Sequence, residues 1–233
     1  MHGFEMFVVV YNIYEKFDFG NSGKGGKMSY FPLFIELKNK RCLVVGGGGI
    51  ALHKAGVLKG FGAGVVVVAS SILPELRGME GIVCLERGFL PGDLDGRALV
   101  VAATDDSSLN HRISLLCQKR GIPVNAVDQP EDCSFIFPAY IKEGEVVAAF
   151  VSGGQSPVVT QYLKGCMRPV LTELIGDLAE QLGSLREAVK QSVPGEGRKA
   201  VYQELLNWGL GKGRTLTEKE IRRIVGGAVE WKD

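Results

Sequence analysis

The chain has 233 residues, 45% hydrophobic and 23% charged, a composition that excludes whole-chain disorder and allows about 1.6 domains on a length prior. Its 27 Lys and Arg against 26 Asp and Glu leave a net charge of +1, which gives no sign of a nucleic-acid or anionic-membrane partner. No apolar stretch reaches the roughly 18 residues of a membrane span. The five cysteines (Cys42, Cys84, Cys117, Cys133, Cys166) are odd in number and lack Cys-x-x-Cys spacing, which predicts reduced thiols in a cytoplasmic protein, and no zinc site.

Residues 1–28 read as an extension or linker. A short apolar patch, Met6 to Ile13, runs into the glycine-rich stretch Gly20 to Lys27. Regular patterning then begins. Cys42 to Val45 is strand-like, and Ile50 to Phe61 is helical with Ala51, Ala55 and Leu58 on one face. The β-branched run Val65 to Ala69 suits a buried strand. Ile82 to Leu85 and Ala98 to Ala103 are further strands. A helix capped by Ser107 or Ser108 reaches Arg120, with Gly121 to end it, and Ile122 to Val127 is the next strand. This succession predicts an α/β fold, a Rossmann-type doubly wound parallel sheet over residues 29–138.

The texture changes after Pro138. Glu145 to Ser152 is one more apolar strand, and Ser156-Pro157 begins a helix. Helices are expected at about 157–166, 168–191, 198–209 and 217–229, with Thr217 to Glu220 as a capping box. The expected boundaries are a segment over 139–166 and a helical C-terminal domain over 167–233.

The loop Gly46-Gly47-Gly48-Gly49-Ile50-Ala51 follows a strand and opens a helix, with Gly46, Gly48 and Ala51 in the G-x-G-x-x-A positions. The first glycine makes the tight turn and the second admits a pyrophosphate to the backbone. The small third residue lets helix and strand pack closely, and the free N–H groups of the helix start face the anion. The second strand ends in Ser70-Ser71 and not in the usual Asp or Glu. With no Arg in that stretch, NAD is expected over NADP. Polar residues also fall at other strand ends: Thr104-Asp105-Asp106, Asn125 with Asp128, and Ser152 to Ser156. Loop formation and helix capping suffice for several of these, whereas for Asp128 a plain turn and a functional carboxylate are both open.

These elements occur together in one order. They are Tyr30 to Lys38, the Val-Val-Gly-Gly-Gly loop, Ala102 to Asp106, Asn110-His111-Arg112, Val124 to Asp128, Ser134 to Pro138 and Ser152 to Pro157. In this the chain resembles, over about residues 30–165, the precorrin-2 dehydrogenase/sirohydrochlorin ferrochelatase family, the first module of sirohaem synthase. The resemblance implies NAD-dependent oxidation of precorrin-2 to sirohydrochlorin and, in some members, insertion of ferrous iron as a co-substrate. It implies dinucleotide contacts from Gly49, Ile50, Ser70 and Ser71, to which the loop reading adds Gly46 and Gly48 and the strand-end cluster adds Thr104. Asp128 matches an essential aspartate, here the general base, and Ser152 a serine near the tetrapyrrole pocket, with Asn125 beside them. Because the macrocycle is strongly anionic, Lys54 and Arg112 are its candidate cationic partners, with no metal site of the protein's own. The segment 139–166 is then a dimerisation segment and the chain a homodimer. Departures are the N-terminal extension and Ala139, where some relatives have Ser. Two rivals are a non-enzymatic NAD-binding redox sensor, which has no use for Asn125, Asp128 and Ser152 in one cleft, and a ferrochelatase without dehydrogenase activity, for which the glycine loop is too intact. His53 and His111 are expected at helix surfaces.

Overall fold

The computed structural model describes residues 30–227, so the expected extension of 1–28 and the last two residues of the helix expected over 217–229 lie outside the described residues. Five parallel strands form the main sheet: β1 (Arg41–Val45), β2 (Gly64–Ala69), β3 (Ile82–Glu86), β4 (Leu99–Ala102) and β5 (Val124–Ala126), in the order β3-β2-β1-β4-β5. β1 pairs with β2 on one side and β4 on the other, with Val45 opposite both Val68 and Ala102. The strand order therefore reverses between β1 and β4, where open α/β sheets bind their ligands.

Alternation along the strands builds two cores. Cys42, Val44, Val65, Val67 and Val101 pack with Ala51, Ala55 and Leu58 of α1 (Gly49–Gly60). Leu43, Val45, Val68, Val100 and Ala102 pack with Ile113 and Cys117 of α3 (Ser107–Lys119) on the other face. Both faces are covered, which is why the strands read as unbroken apolar runs. Each fully buried Leu or Val contributes about 1.5–3 kcal/mol of transfer free energy. The same burial pushes the Cys42 and Cys117 thiols up to about 11, so they stay protonated and inert at neutral pH. The cap of α3 is Asp106, whose Oδ1 accepts from the N–H groups of Ser108 and Leu109 at 2.9 and 3.1 Å, and not Ser107 or Ser108. A carboxylate there also faces the positive end of the helix. The short α2 (Pro74–Arg77) and a 3-10 turn at Pro91–Leu94 have too little periodicity to be read in the sequence.

Beyond the sheet, β6 (Ala139–Glu143) and β7 (Val146–Phe150) form an antiparallel hairpin. Its turn uses Gly144 at φ 57°, a left-handed conformation that glycine adopts freely. The strand expected over 145–152 is β7, and β6 is an additional strand. Five helices follow: α4 (Pro157–Met167), α5 (Glu173–Ser184), α6 (Arg186–Ser192), α7 (Arg198–Lys212) and α8 (Glu218–Gly227). The single helix expected over 168–191 is thus two. Val189, Val193, Val201, Leu205, Leu216 and Ile224 form the helical core. Gln181 ties α5 to the α7–α8 connection by bonding both the N–H and the C=O of Leu216, at 2.8 and 2.7 Å. Gly176 of α5 lies so close to the hairpin turn that a Cβ would stand 2.8 Å from the Glu143 carbonyl oxygen. That contact seats the hairpin on the helical part.

Candidate active site

The loop after β1 is shaped by backbone crowding. Gly46 has φ 129°, and a Cβ on it would overlap the Ala103 carbonyl after β4. Its N–H donates to Val68 O at 2.9 Å, so β1, β2 and β4 all fix this turn. Gly47, a variable position of the fingerprint, is as constrained: a Cβ there would overlap the Ser71 carbonyl, and its own carbonyl accepts from Leu73 N at 3.0 Å. Gly48 and Gly49 differ. A Cβ on either meets nothing within 4 Å, so the space before α1 is open where a pyrophosphate would approach. The first turn of α1 carries no acidic residue, and its leading N–H groups have no partner within the helix. Ile50 beside them is 48% exposed. The residues fit a dinucleotide, and Gly47 is the member that the fingerprint misses.

Ser70 and Ser71 are exposed at the end of β2. The fold also brings a cation to this stretch, contrary to expectation: Arg77 Nε donates to Ile72 O at 3.2 Å, and its Nη2 pairs with Glu86 at 2.5 Å. The Arg77 charge is therefore compensated. Thr104 is held by the buried Asn110 of α3, whose Oδ1 accepts from Thr104 N and Oγ1 at 3.2 and 2.7 Å while its Nδ2 donates to Thr104 O at 3.0 Å. These bonds are why an amide, and not an apolar side chain, stands on the buried face of α3.

Asp128 follows β5 with φ 59° and is exposed. The left-handed conformation costs a non-glycine residue on the order of 1 kcal/mol, least for Asp and Asn. The turn is locked behind it by Cys133, whose Sγ lies 3.1 Å from Ala126 O and 3.3 Å from Gln129 O. Asn125 donates through Nδ2 to Phe135 O at 3.1 Å and to Cys133 Sγ at 3.4 Å. Its amide group thus anchors the segment that leads from Asp128 towards Phe137.

That segment borders a cleft of about 330 Å³, lined among others by His53 of α1, Phe137, Tyr140, Phe150, Ser152 and Lys164. None of its lining residues is acidic. Ser152 Oγ accepts from Ser156 N at 2.9 Å and donates to Ser156 O at 3.0 Å, which closes the loop that starts α4. Of the residues expected together, Ser152 borders this cleft, while Asn125 and Asp128 are not among its lining residues. Asp128 belongs with the glycine loop and Thr104 at the carboxyl edge of the sheet, and Ser152 lies on the α1–hairpin side. The cations differ too. Lys54 sits half-buried with Nζ 4.0 Å from the Phe137 ring centre, and burial pushes its ammonium down, with Cys133 opposing. Its neighbour His53 is the α1 side chain at the cleft. Arg112 stands exposed on α3, which packs on the sheet face opposite to α1, so the fold does not bring it to Lys54. His111, exposed on α3, pairs with Asp132 at 2.7 Å. A larger hollow of about 540 Å³ between α6 and α8 holds none of the predicted residues.

A glycine loop at the switch point of a parallel sheet, open before a helix start, defines a Rossmann-type nicotinamide-dinucleotide-binding protein. Residues 33–139 match the family described as "Putative NAD(P)-binding". The chain is 42% identical over 183 residues to a siroheme synthase of Thioalkalivibrio sulfidiphilus, and 41% identical over 196 residues to that of Azotobacter vinelandii. The matches cover 77% and 83% of this chain but 37% and 42% of those proteins, so the chain spans about two fifths of the length of these relatives. In structure it is similar to SirC, a precorrin-2 dehydrogenase, with TM-score 0.66 and 21% identity, covering 87% of this chain and 100% of that one. Over these residues the chain is similar to a part of the siroheme synthases, and it shares the fold of the solved dehydrogenase.

Proposed function

We propose that the protein oxidises precorrin-2 to sirohydrochlorin with NAD, Asp128 acting as general base. The observation that carries this reading is the carboxyl edge of the sheet, where a dinucleotide loop with open space before α1 stands with a locked, exposed aspartate. A bound nicotinamide dinucleotide supplies the hydride acceptor. Gly48, Gly49 and the N–H groups at the start of α1 hold its pyrophosphate, and Ser70 and Ser71 meet its ribose. Because Glu86 compensates Arg77, the arginine nearest the end of β2 among the described residues is already paired, which supports NAD over NADP. Asp128 takes the proton that leaves the macrocycle, a role typically worth about 10²–10⁴-fold.

We read the macrocycle as lying between Asp128 and the cleft beside Ser152, whose aromatic walls and lack of carboxylates suit an apolar ring with acidic side chains. Lys54 supports that wall through Phe137. Ferrous iron enters only as the co-substrate of a second step on the same macrocycle, tested by anaerobic incubation of sirohydrochlorin and ferrous iron with and without the protein. We place the protein in the cytoplasm, where five unpaired thiols stay reduced. No helix of the described residues is long and apolar enough to cross a membrane.

The working form is read as a homodimer built on the hairpin and α4. Val158, Val159, Tyr162 and Leu163 of α4 are 78, 49, 69 and 40% exposed, and their i, i+1, i+4, i+5 spacing makes one apolar stripe. A two-stranded hairpin is marginal alone, and apolar surface of this kind marks an interface. The test of the activity is purified protein mixed with precorrin-2 and NAD: sirohydrochlorin absorbance should rise together with NADH. Absence of both would refute the reading.

A further inference from the structure

The turn that carries Asp128 is held from α3 by a relay of side chains. Asp132 is 4% exposed, and a carboxylate so buried needs compensation. Its Oδ1 accepts from His111 Nδ1 at 2.7 Å, and its Oδ2 accepts from Gln129 Nε2 at 3.2 Å. Ser114 Oγ donates to the Asp132 carbonyl at 2.6 Å, which fixes the backbone on the same helix. Gln129 is the residue after Asp128. Its Nε2 also reaches Ser107 O at 3.2 Å, but its Oε1 is buried with no hydrogen-bond partner among the described residues. Gln129 is therefore held from one end of its amide only, by Asp132 and the first turn of α3. His111 in turn is the one side chain of basic character bonded to Asp132 among the described residues.

We propose that His111, acting through Asp132 and Gln129, is a positioning residue for Asp128. Its imidazole N–H fixes the Asp132 carboxylate, which fixes the Gln129 amide and so the left-handed backbone that presents Asp128. The proposal rests on the reading of Asp128 as the base, and it assigns His111 no contact with substrate or cofactor. The function requires only a donor at the Nδ1 position, which the side-chain amide nitrogen of an asparagine also supplies.

The test compares His111→Ala with His111→Asn, below the melting temperature of each. His111→Ala should lower kcat for precorrin-2 oxidation roughly tenfold, since small misplacements of a reacting group carry large rate costs. The KM for NAD should be unchanged, and His111→Asn should recover most of the rate. Amide hydrogen exchange gives a readout independent of activity. The Asp132 and Cys133 amides, bonded to Gln129 O and Pro130 O, should exchange faster in His111→Ala and at the native rate in His111→Asn. Unchanged exchange and kcat in His111→Ala, or an Asn variant as impaired as the Ala variant, would overturn the proposal. Full turnover in Asp128→Ala would instead remove the reading of Asp128 as the base, while the exchange data still decide whether His111 holds the turn.

Discussion

The parallel sheet and the hairpin with its helix α4 are both rich in apolar residues, yet they use them differently. In the sheet, Cys42, Leu43, Val44 and Val45 of β1 are all 2% exposed or less, because α1 and α3 cover both faces. In the hairpin only Ile141 is buried, and the apolar stripe of α4 remains in solvent. The sheet is complete within one chain, and its demands fall on backbone geometry at the strand ends. The hairpin region leaves its apolar stripe uncovered, and in the proposed dimer its demands fall on a second surface. Substitutions in the first should therefore change chemistry and cofactor affinity, and those in the second assembly.

The largest effect is expected at the sheet edge. Asp128→Ala should reduce turnover by about 10²–10⁴-fold while leaving the dissociation constant for NAD, measured by fluorescence titration, close to that of the native protein. Two adjacent glycines sharpen the contrast within the loop. Gly47→Ala should lower both the melting temperature and NAD affinity, because its Cβ would overlap the Ser71 carbonyl. Gly48→Ala should keep the melting temperature and lose NAD affinity alone, since its Cβ faces open space. Equal melting temperatures for the two variants would contradict this account of the loop.

In the hairpin region, Tyr162→Glu should convert a dimer to a monomer by light scattering. A charge in the α4 stripe leaves the fold of one chain untouched but cannot be buried unpaired. A smaller effect is expected for Glu86→Gln, which releases the Arg77 guanidinium near the end of β2. The ratio of kcat/KM for NADP over NAD should rise several-fold, with the NAD value little changed.

The smallest effect belongs to the helical part. Arg214 and the Thr217 N–H hold the Glu220 carboxyl well below the usual carboxylate range. A carboxyl held low stabilises the fold at pH above its unfolded value and loses that contribution as pH falls. Glu220→Gln should thus lower the melting temperature slightly at neutral pH, and the difference should vanish in acid.

The sheet was legible because its signals are local. Four-residue apolar runs, the spacing of Gly46, Gly48 and Ala51, and the helix that follows need no knowledge of distant residues. Gly47 was not legible, since its constraint comes from the Ser71 backbone some twenty-four residues away. That Lys54 stacks on Phe137 while His53 borders the cleft was not legible either: helical spacing places the two about 100° apart, and only the packing of Phe137 decides which of them faces the cleft. The separation of Arg112 from Lys54 was hidden for a larger reason, because a sequence does not state on which face of the sheet a crossover helix lands relative to another. The strand β6 escaped because Tyr140-Ile141-Lys142-Glu143 mixes apolar and charged residues over a single short stretch. The Arg77–Glu86 pair joins a short helix to a strand end and leaves no periodic trace.

The most direct test of the central claim is a single-turnover experiment under anaerobic conditions, with precorrin-2 and NAD mixed with the native protein and with Asp128→Ala. The account predicts stoichiometric NADH and sirohydrochlorin from the native protein, and NAD binding without either product on the same timescale from the variant. Native-like product formation by the variant, or NAD binding with no oxidation of precorrin-2 by the native protein, would contradict it.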